Sequence, residues 1–491
     1  MTSILLLLIL LSGGLLSWVA GRRNARLPRW IALVALAGAL SWLLAFWSRT
    51  PVGLKLTGGP WLERLSLDWI PRFGIALSFG LDGLSLILSL LALFLGLMAV
   101  VASWSEIRER TGFFYLNLLW TLAGVIGVFA ALDLFLFFLF WELMLVPMYF
   151  IIALWGHGDS ARAAIKFFLF TQGGGLLLLV GILILVLGHF AATGHLTFDY
   201  FALRGTALDP QIAFWAMLGL FLAFAVKLPV VTLHTWLPDA HTLAPTGGSV
   251  ILAGILLKTG AYGLIRFLVP LFPQASAALA PVALGLGAAG ILYGGVLAFA
   301  QSDVKRLVAY SSISHMGFVL LAVFAWNALA LQGAVVQLVA HGITAAGLFM
   351  IAGSLRERLH TLDAKGMGGL WAQLPRLSAL GLLFAVATLG LPGFGNFVGE
   401  ILVLLGTFRD HPTAALVAVT GVVTTAIYAL ALVQRAFHGP PGERTGLRDY
   451  GPRETAALGL MAAVSLGLGL YPQPVLDLAS PALAALTGAG G

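Results

Sequence analysis

Residues 227–267 read KLPVVTLHTWLPDAHTLAPTGGSVILAGILLKTGAYGLIRF. Two properties of this stretch pull against each other. Much of it is apolar enough for a lipid-spanning helix, yet it carries Lys227 and Lys258 and is interrupted by Pro229, Pro238 and Pro245. A charge at the centre of a membrane helix costs about 2.5–3.5 kcal/mol on insertion scales. Proline removes a backbone donor, which a membrane interior tolerates where a polar cavity or a neighbouring helix satisfies the backbone. Such a stretch fits the inside of a helical bundle with polar groups in it. It does not fit a lipid-facing anchor.

The surrounding chain supplies the bundle. Of 491 residues, 60% are hydrophobic and only 10% are Asp, Glu, Lys or Arg, against about 25% charged in a soluble domain. A helix needs about 20 apolar residues to cross a hydrocarbon core about 30 Å thick. Fourteen such runs follow one another: Thr2–Ala20, Pro28–Trp47, Asp82–Ser103, Phe113–Leu132, Leu134–Trp155, Ala163–Leu187, Ile212–Val231, Ser249–Val269, Leu279–Phe299, Leu307–Trp326, Leu329–Gly353, Leu377–Phe408, Ala414–Phe437 and Thr455–Tyr471. The short alternating segments of a closed barrel are missing. The expectation is an all-α polytopic membrane protein of about fourteen transmembrane helices. The first run has no positively charged leader and is followed by more spans, so it reads as a helix and not as a signal peptide.

Composition also narrows the chemistry. With no cysteine in the chain, disulfides, thiolate zinc sites, iron–sulfur clusters and thiol nucleophiles are excluded. The histidines form no two-pair pattern for a bis-His haem, and no close His/carboxylate set has metal-ligand spacing. No G-x-G-x-x-G opens a strand–helix unit for a dinucleotide. No cofactor and no metal are expected in this chain. The net charge of +7 does not imply a nucleic-acid partner, because the basic residues sit mostly in short connections, where they orient helices. Connections after odd-numbered runs hold 18 Arg and Lys; those after even-numbered runs hold 7, namely Arg49, Lys55, Arg64, Arg72, Arg204, Arg266 and Arg409. The positive-inside rule then places both termini on the outer side. Of the 27 basic residues, this sorting leaves over only Lys227 and Lys258.

Two acids are placed like those two lysines: Glu142 in FLFFLFWELMLVPMYF and Glu400 in LPGFGNFVGEILVLLG. Four membrane-depth charges together cost on the order of 10 kcal/mol, comparable to the net stability of a whole domain. Buried ion pairs are poor stabilisers, so a structural salt bridge is a weak reason to keep them. A proton path is a stronger one. Making and breaking a carboxylate–ammonium pair swings a proton affinity by about two to three pKa units, roughly 3–4 kcal/mol. Moving one charge against 100 mV takes about 2.3 kcal/mol. The two magnitudes match.

Backbone breaks sit beside these charges. Lys227 directly precedes Leu228-Pro229, and Gly390, Pro392, Gly393 and Gly395 interrupt the run that leads to Glu400. Two broken helices five apart, each next to an ionisable group, suggest two structural repeats. Histidine relays protons near neutrality, and His234 and His241, seven apart after the first break, join His315 and His341 as candidates. Lys305, in DVKRL at a helix start, reads equally well as a relay group or as an anchor.

FLFWELMLVPMYF, the 227–267 stretch, AQSDVKRLVAYSSISHMGFVLL, Ala340-His341-Gly342 and LPGFGNFVGE together resemble the antiporter-like subunits of respiratory complex I, over nearly the whole chain. The resemblance implies fourteen transmembrane helices with two inverted five-helix repeats and broken helices seven and twelve. It divides the chain into 1–112 (three helices and an outer loop), a first repeat at 113–270, a second at 275–438, and a cytoplasmic connector with the last helix at 439–491. The family's L and N types carry Lys in the broken twelfth helix and the remaining type carries Glu, which Glu400 fits. The implied function is proton translocation in the membrane arm of an NADH–quinone oxidoreductase, with redox chemistry left to partner subunits. On that reading Glu142 pairs with Lys227, Lys258 is the central connector and Glu400 ends the second half-channel. His234, His241, His315, His341 and Lys305 fall on relay positions. Implied partners are the L- and N-type antiporter-like neighbours, the lipid bilayer and protons; the implied location is a bacterial inner membrane. A cation/proton antiporter subunit of an Mrp-type system or of a membrane-bound hydrogenase shares the central motifs and stands as the alternative.

Overall fold

A computed structural model describes residues 1–49, 60–439 and 446–487; Lys55 and Arg444, counted above, lie outside them. Helices α1 (Thr2–Gly21) and α2 (Leu27–Arg49) come first. An antiparallel hairpin follows, β1 (Trp61–Ile70) with β2 (Ile75–Asp82). Then come α3 (Gly83–Ala102), α4 (Thr111–Ala130), α5 (Leu134–Trp155), α6 (Ser160–Thr193), α7 (Pro210–Lys227), the short α8 (Trp236–Leu243) and α9 (Thr246–Leu271). The chain continues through α10 (Pro273–Ala300), α11 (Val304–Ala325), α12 (Ala328–Leu359), α13 (Pro375–Thr388), α14 (Gly395–Asp410), α15 (Pro412–Ala436), α16 (Pro452–Leu470) and α17 (Gln473–Thr487). Among the described residues, thirteen helices are long and apolar enough to span a membrane. The hairpin occupies the 49–81 connection, for which the sequence settled no structure.

Helices α9, α11 and α12 are buried almost throughout, whereas α1, α2, α6, α15 and α16 are buried over well under half of their length. In lipid, apolar burial does not drive helices together, so close packing and internal hydrogen bonds must do so. Small residues supply the packing. A Cβ on Gly342 of α12 would lie 3.0 Å from the Gly254 carbonyl oxygen of α9, and one on Gly333 of α12 would lie 2.6 Å from the Val403 nitrogen of α14. These two crossings put α12 against both polar-bearing helices, α9 and α14.

The expected run Leu377–Phe408 is not one helix. It is split into α13 and α14 by residues 389–394, with Gly390 and Gly393 at positive φ. The break at Lys227 is equally definite. Helix α7 stops there, and residues 228–235 turn, with φ of +82° at Thr232, before α8 begins. His234 therefore precedes a helix that contains His241, and the two share no helical face.

The charge sorting needs correction at two residues. Arg266, counted in a connection, lies inside α9 and is 1% exposed, and Lys305, also counted in a connection, lies in the first turn of α11 and is fully buried. Four buried cations, not two, occupy the bundle among the described residues. Arg266 is neutralised by Asp82, which also caps α3 by accepting from the Ser85 N–H, and its guanidinium lies 4.9 Å from the Trp61 ring. Hydropathy over a window cannot distinguish a basic residue at a helix end from one a turn further in.

Candidate functional site

The first charged group is built from α5, α6 and the end of α7. Lys227 Nζ is buried and lies 5.5 Å from the Trp141 ring and 5.4 Å from the Phe167 ring. The aromatic faces hold an ammonium by cation–π attraction but offer no place for its protons. Glu142 is close enough for the two charges to act on each other. Even so, both Lys227 Nζ and Glu142 Oε1 are buried without a hydrogen-bond partner. The expected pair is thus an adjacent pair and not a bonded one. Glu142 fits against α6 where Gly175 leaves a notch: a Cβ there would lie 2.1 Å from Oε1. The break after Lys227 is held by the Trp236 indole, which donates to the Val226 carbonyl at 3.0 Å.

The second group begins at Lys258 in α9. The turn Leu252–Leu256 is a π turn, a widened geometry that frees a carbonyl and recurs at functional sites. Here Lys258 Nζ donates to Ala253 O at 2.6 Å and lies 2.7 Å from His341 Nδ1. The His341 and His315 rings are 5.5 Å apart between centroids. His315 Nδ1 is 3.0 Å from Glu400 Oε1, and its Nε2 is 3.1 Å from the Tyr428 hydroxyl. Gln337 donates to Glu400 at 3.3 Å. Lys258, His341, His315 and Glu400 therefore form one series of neighbours through the buried centre, each 4% exposed or less. One step in it, His341 to His315, has no direct hydrogen bond, and His341 Nε2 is buried without a partner.

The remaining candidates are placed separately. His241 stacks on Phe349, centroids 4.6 Å apart, with both ring nitrogens buried and unpartnered. Lys305 Nζ donates to the Ala244 carbonyl at 2.8 Å, between α8 and α9. His234 lies edge-on to Tyr293, 5.3 Å between centroids, with Nδ1 unpartnered. An unpartnered buried polar atom costs about 1–3 kcal/mol, and water is the usual remedy.

Gln337, Tyr428 and Gly175 belong to these arrangements and carry no signal in the sequence, since a glutamine, tyrosine or glycine in an apolar run is ordinary. Only Gly399 beside Glu400 hinted at a close crossing. Among the described residues, no three His, Cys, Asp or Glu side chains come together as a metal site would need.

Buried acids, lysines and histidines threaded through a bundle with two broken helices define a class of multi-pass helical membrane protein with a polar interior. Residues 131–427 match the family described as NADH:quinone oxidoreductase/Mrp antiporter, transmembrane, and the chain belongs to that family. It is 52% identical to NADH-quinone oxidoreductase subunit M of Pseudomonas aeruginosa over 489 residues, 97% of this chain and 96% of that one. Respiratory complex I from Thermus thermophilus with bound NADH contains a chain of the same fold, with a TM-score of 0.87, 33% identity and full coverage of both chains. A chain of the Mrp complex from Dietzia sp. superposes with a TM-score of 0.87 at 22% identity, covering 100% of this chain and 97% of that one; that likeness is one of fold.

Proposed function

We propose that the chain is the M-type, proton-translocating subunit of the membrane arm of an NADH–quinone oxidoreductase. It sits in a bacterial inner membrane beside other antiporter-like subunits, and electron transfer occurs in partners, with no cofactor held here. Kinship at half identity over almost the whole length supports the assignment. The single observation that carries the mechanism is the series Lys258–His341–His315–Glu400, with contacts of 2.7 Å and 3.0 Å at its two ends.

Lys227, whose affinity is set by whether Glu142 is ionised, exchanges protons with Lys258, and from Lys258 they pass through the two imidazoles to Glu400. Each imidazole takes a proton on one nitrogen and releases one from the other, so ring flips or a bridging water complete the His341–His315 step. Helices α13 and α14 together make the crossing that neither makes alone. The halves 113–270 and 275–438 are inverted repeats, flanked by 1–112 and 439–491. Arg- and Lys-rich connections face the cytoplasm, and both termini face out.

The test is Glu142→Ala against Glu142→Asp in the assembled enzyme in vesicles. The carboxylate, not its packing volume, sets the lysine's affinity, so Ala lowers NADH-driven proton uptake about 100-fold while Asp keeps a substantial part. Equal loss in both at equal assembly refutes the path. Sodium dependence of the uptake would favour the cation-antiporter alternative.

A further inference from the structure

A cavity of about 400 Å³ opens at the Arg- and Lys-rich end of the bundle, lined among others by Glu106, His157, Thr246, Gly353, Ser354 and Arg356. Thr246, at the end of the turn 243–246 between α8 and α9, lines it. Three separate elements grip that turn. The His157 N–H donates to Leu243 O at 2.8 Å, Lys305 Nζ donates to Ala244 O at 2.8 Å, and Glu106 Oε2 accepts from the Thr246 N–H at 2.9 Å. The other Glu106 oxygen lies 3.8 Å from His157 Nε2. Glu106 thus touches the cavity on one side and the start of α9, the helix of Lys258, on the other. The charge of Glu106 acts on buried Lys305, as do those of Asp303 and Arg356, and the charges of both Lys305 and Lys258 act on His241. His241 has two unpartnered nitrogens in the interior and lies within the electrostatic reach of both lysines.

We propose that this cavity is the mouth by which protons reach the buried path, and that Glu106 takes them up and passes them to Lys305. The inference rests on the function proposed above. A hydronium ion in the cavity gives its proton to the Glu106 carboxylate and leaves as water. The resulting carboxylic acid gives that proton to the neutral amine of Lys305, and the carboxylate is restored. The Lys305 ammonium hands it to a His241 ring nitrogen, and the imidazolium hands its proton to Lys258. Every group ends as it began once Lys258 is charged. His157 is held neutral in most of the physiological range: burial first, then the charges of Arg356 and Lys305, lower its pKa to about 4. It therefore positions Glu106 without competing for the proton.

Glu106→Gln is the discriminating variant, because the glutamine oxygen still accepts the Thr246 N–H while the ionisable group is gone. In the assembled enzyme in vesicles, NADH-driven proton uptake is expected to fall about tenfold, with assembly intact. Formate added on the cavity side should restore a large part, since a small weak acid fits the cavity and replaces the lost carboxyl. Wild-type uptake in Glu106→Gln overturns the proposal. So does a loss that neither formate nor Glu106→Asp relieves, which marks a helix cap only. If Glu106→Gln fails to assemble, Ser354→Trp plugs the cavity from its wall without touching the cap; slowed uptake that formate cannot rescue is expected, and unaltered uptake overturns the mouth. Measuring Glu142→Ala alongside separates the two readings. An inactive Glu142→Ala with a fully active Glu106→Gln sinks the mouth alone, whereas a fully active Glu142→Ala sinks the path beneath it.

Discussion

The two glutamates placed on the path, Glu142 and Glu400, sit in opposite kinds of surroundings. Lys227 Nζ, between aromatic rings, and Glu142 Oε1, against a glycine notch, have no hydrogen-bond partner, and Gln172 is the one side chain that bonds the Glu142 carboxyl. Glu400 is bonded to His315 and Gln337, and His315 in turn to Tyr428. Low dielectric strengthens satisfied networks and makes unsatisfied groups costly. In the path proposed above, the sparsely bonded first region is the place that changes its charge, and the bonded second region is the place that keeps its geometry.

The largest effect that would break this contrast comes from Lys227→Met. With no network to share the loss, proton uptake should drop about 100-fold in an enzyme that still assembles; a drop below threefold there, with a larger one in Glu400→Gln, would invert the two roles. Glu400→Gln comes next. Its amide oxygen still accepts from Gln337, so the site keeps its shape, and uptake should fall about tenfold with unchanged thermal stability of the solubilised complex.

Gly175→Ala sharpens the comparison from the first side. The new methyl carbon would start 2.1 Å from Glu142 Oε1, so the carboxylate must move, and uptake should fall several-fold. Adding Glu142→Asp, one methylene shorter, should recover part of it; a strictly additive double mutant would show that the notch does not position the acid. Tyr428→Phe probes the second side more gently. It strips one partner from a buried imidazole and should lower stability by about 1 kcal/mol, read as a lower unfolding midpoint, with uptake reduced no more than about threefold.

The smallest effect concerns pH. His157 binds its proton less readily in the folded protein than in the unfolded chain, its pKa falling from 6.5 to about 4. Its contribution to folding is complete above about pH 6.5 and is lost as pH falls towards 4, where both forms are protonated. Hydrogen exchange of the Thr246 amide should accelerate across that window, and His157→Gln should flatten the change. An unaltered profile in the variant would place the titration elsewhere.

Hydropathy along one dimension was enough to identify a multi-pass helical membrane protein, because the cost of exposing backbone polar groups to lipid leaves no other architecture once barrels are set aside. The same cost made Glu142, Lys227, Lys258 and Glu400 conspicuous, and proline and glycine marked both breaks, since each acts on its own local backbone. The burial of Arg266 and of the candidate Lys305 escaped, because a cation near a helix end has the same local signature whether it is buried or exposed. Gln337, Tyr428 and Gly175 were invisible for a different reason. Their importance lies wholly in contacts with residues 22–113 positions away, and no local pattern encodes such a contact. What folding alone decided was which charge received a full network and which kept unpartnered atoms: that depends on where α12 crosses α9 and α14, and on the close approach that Gly342, Gly254 and Gly333 permit.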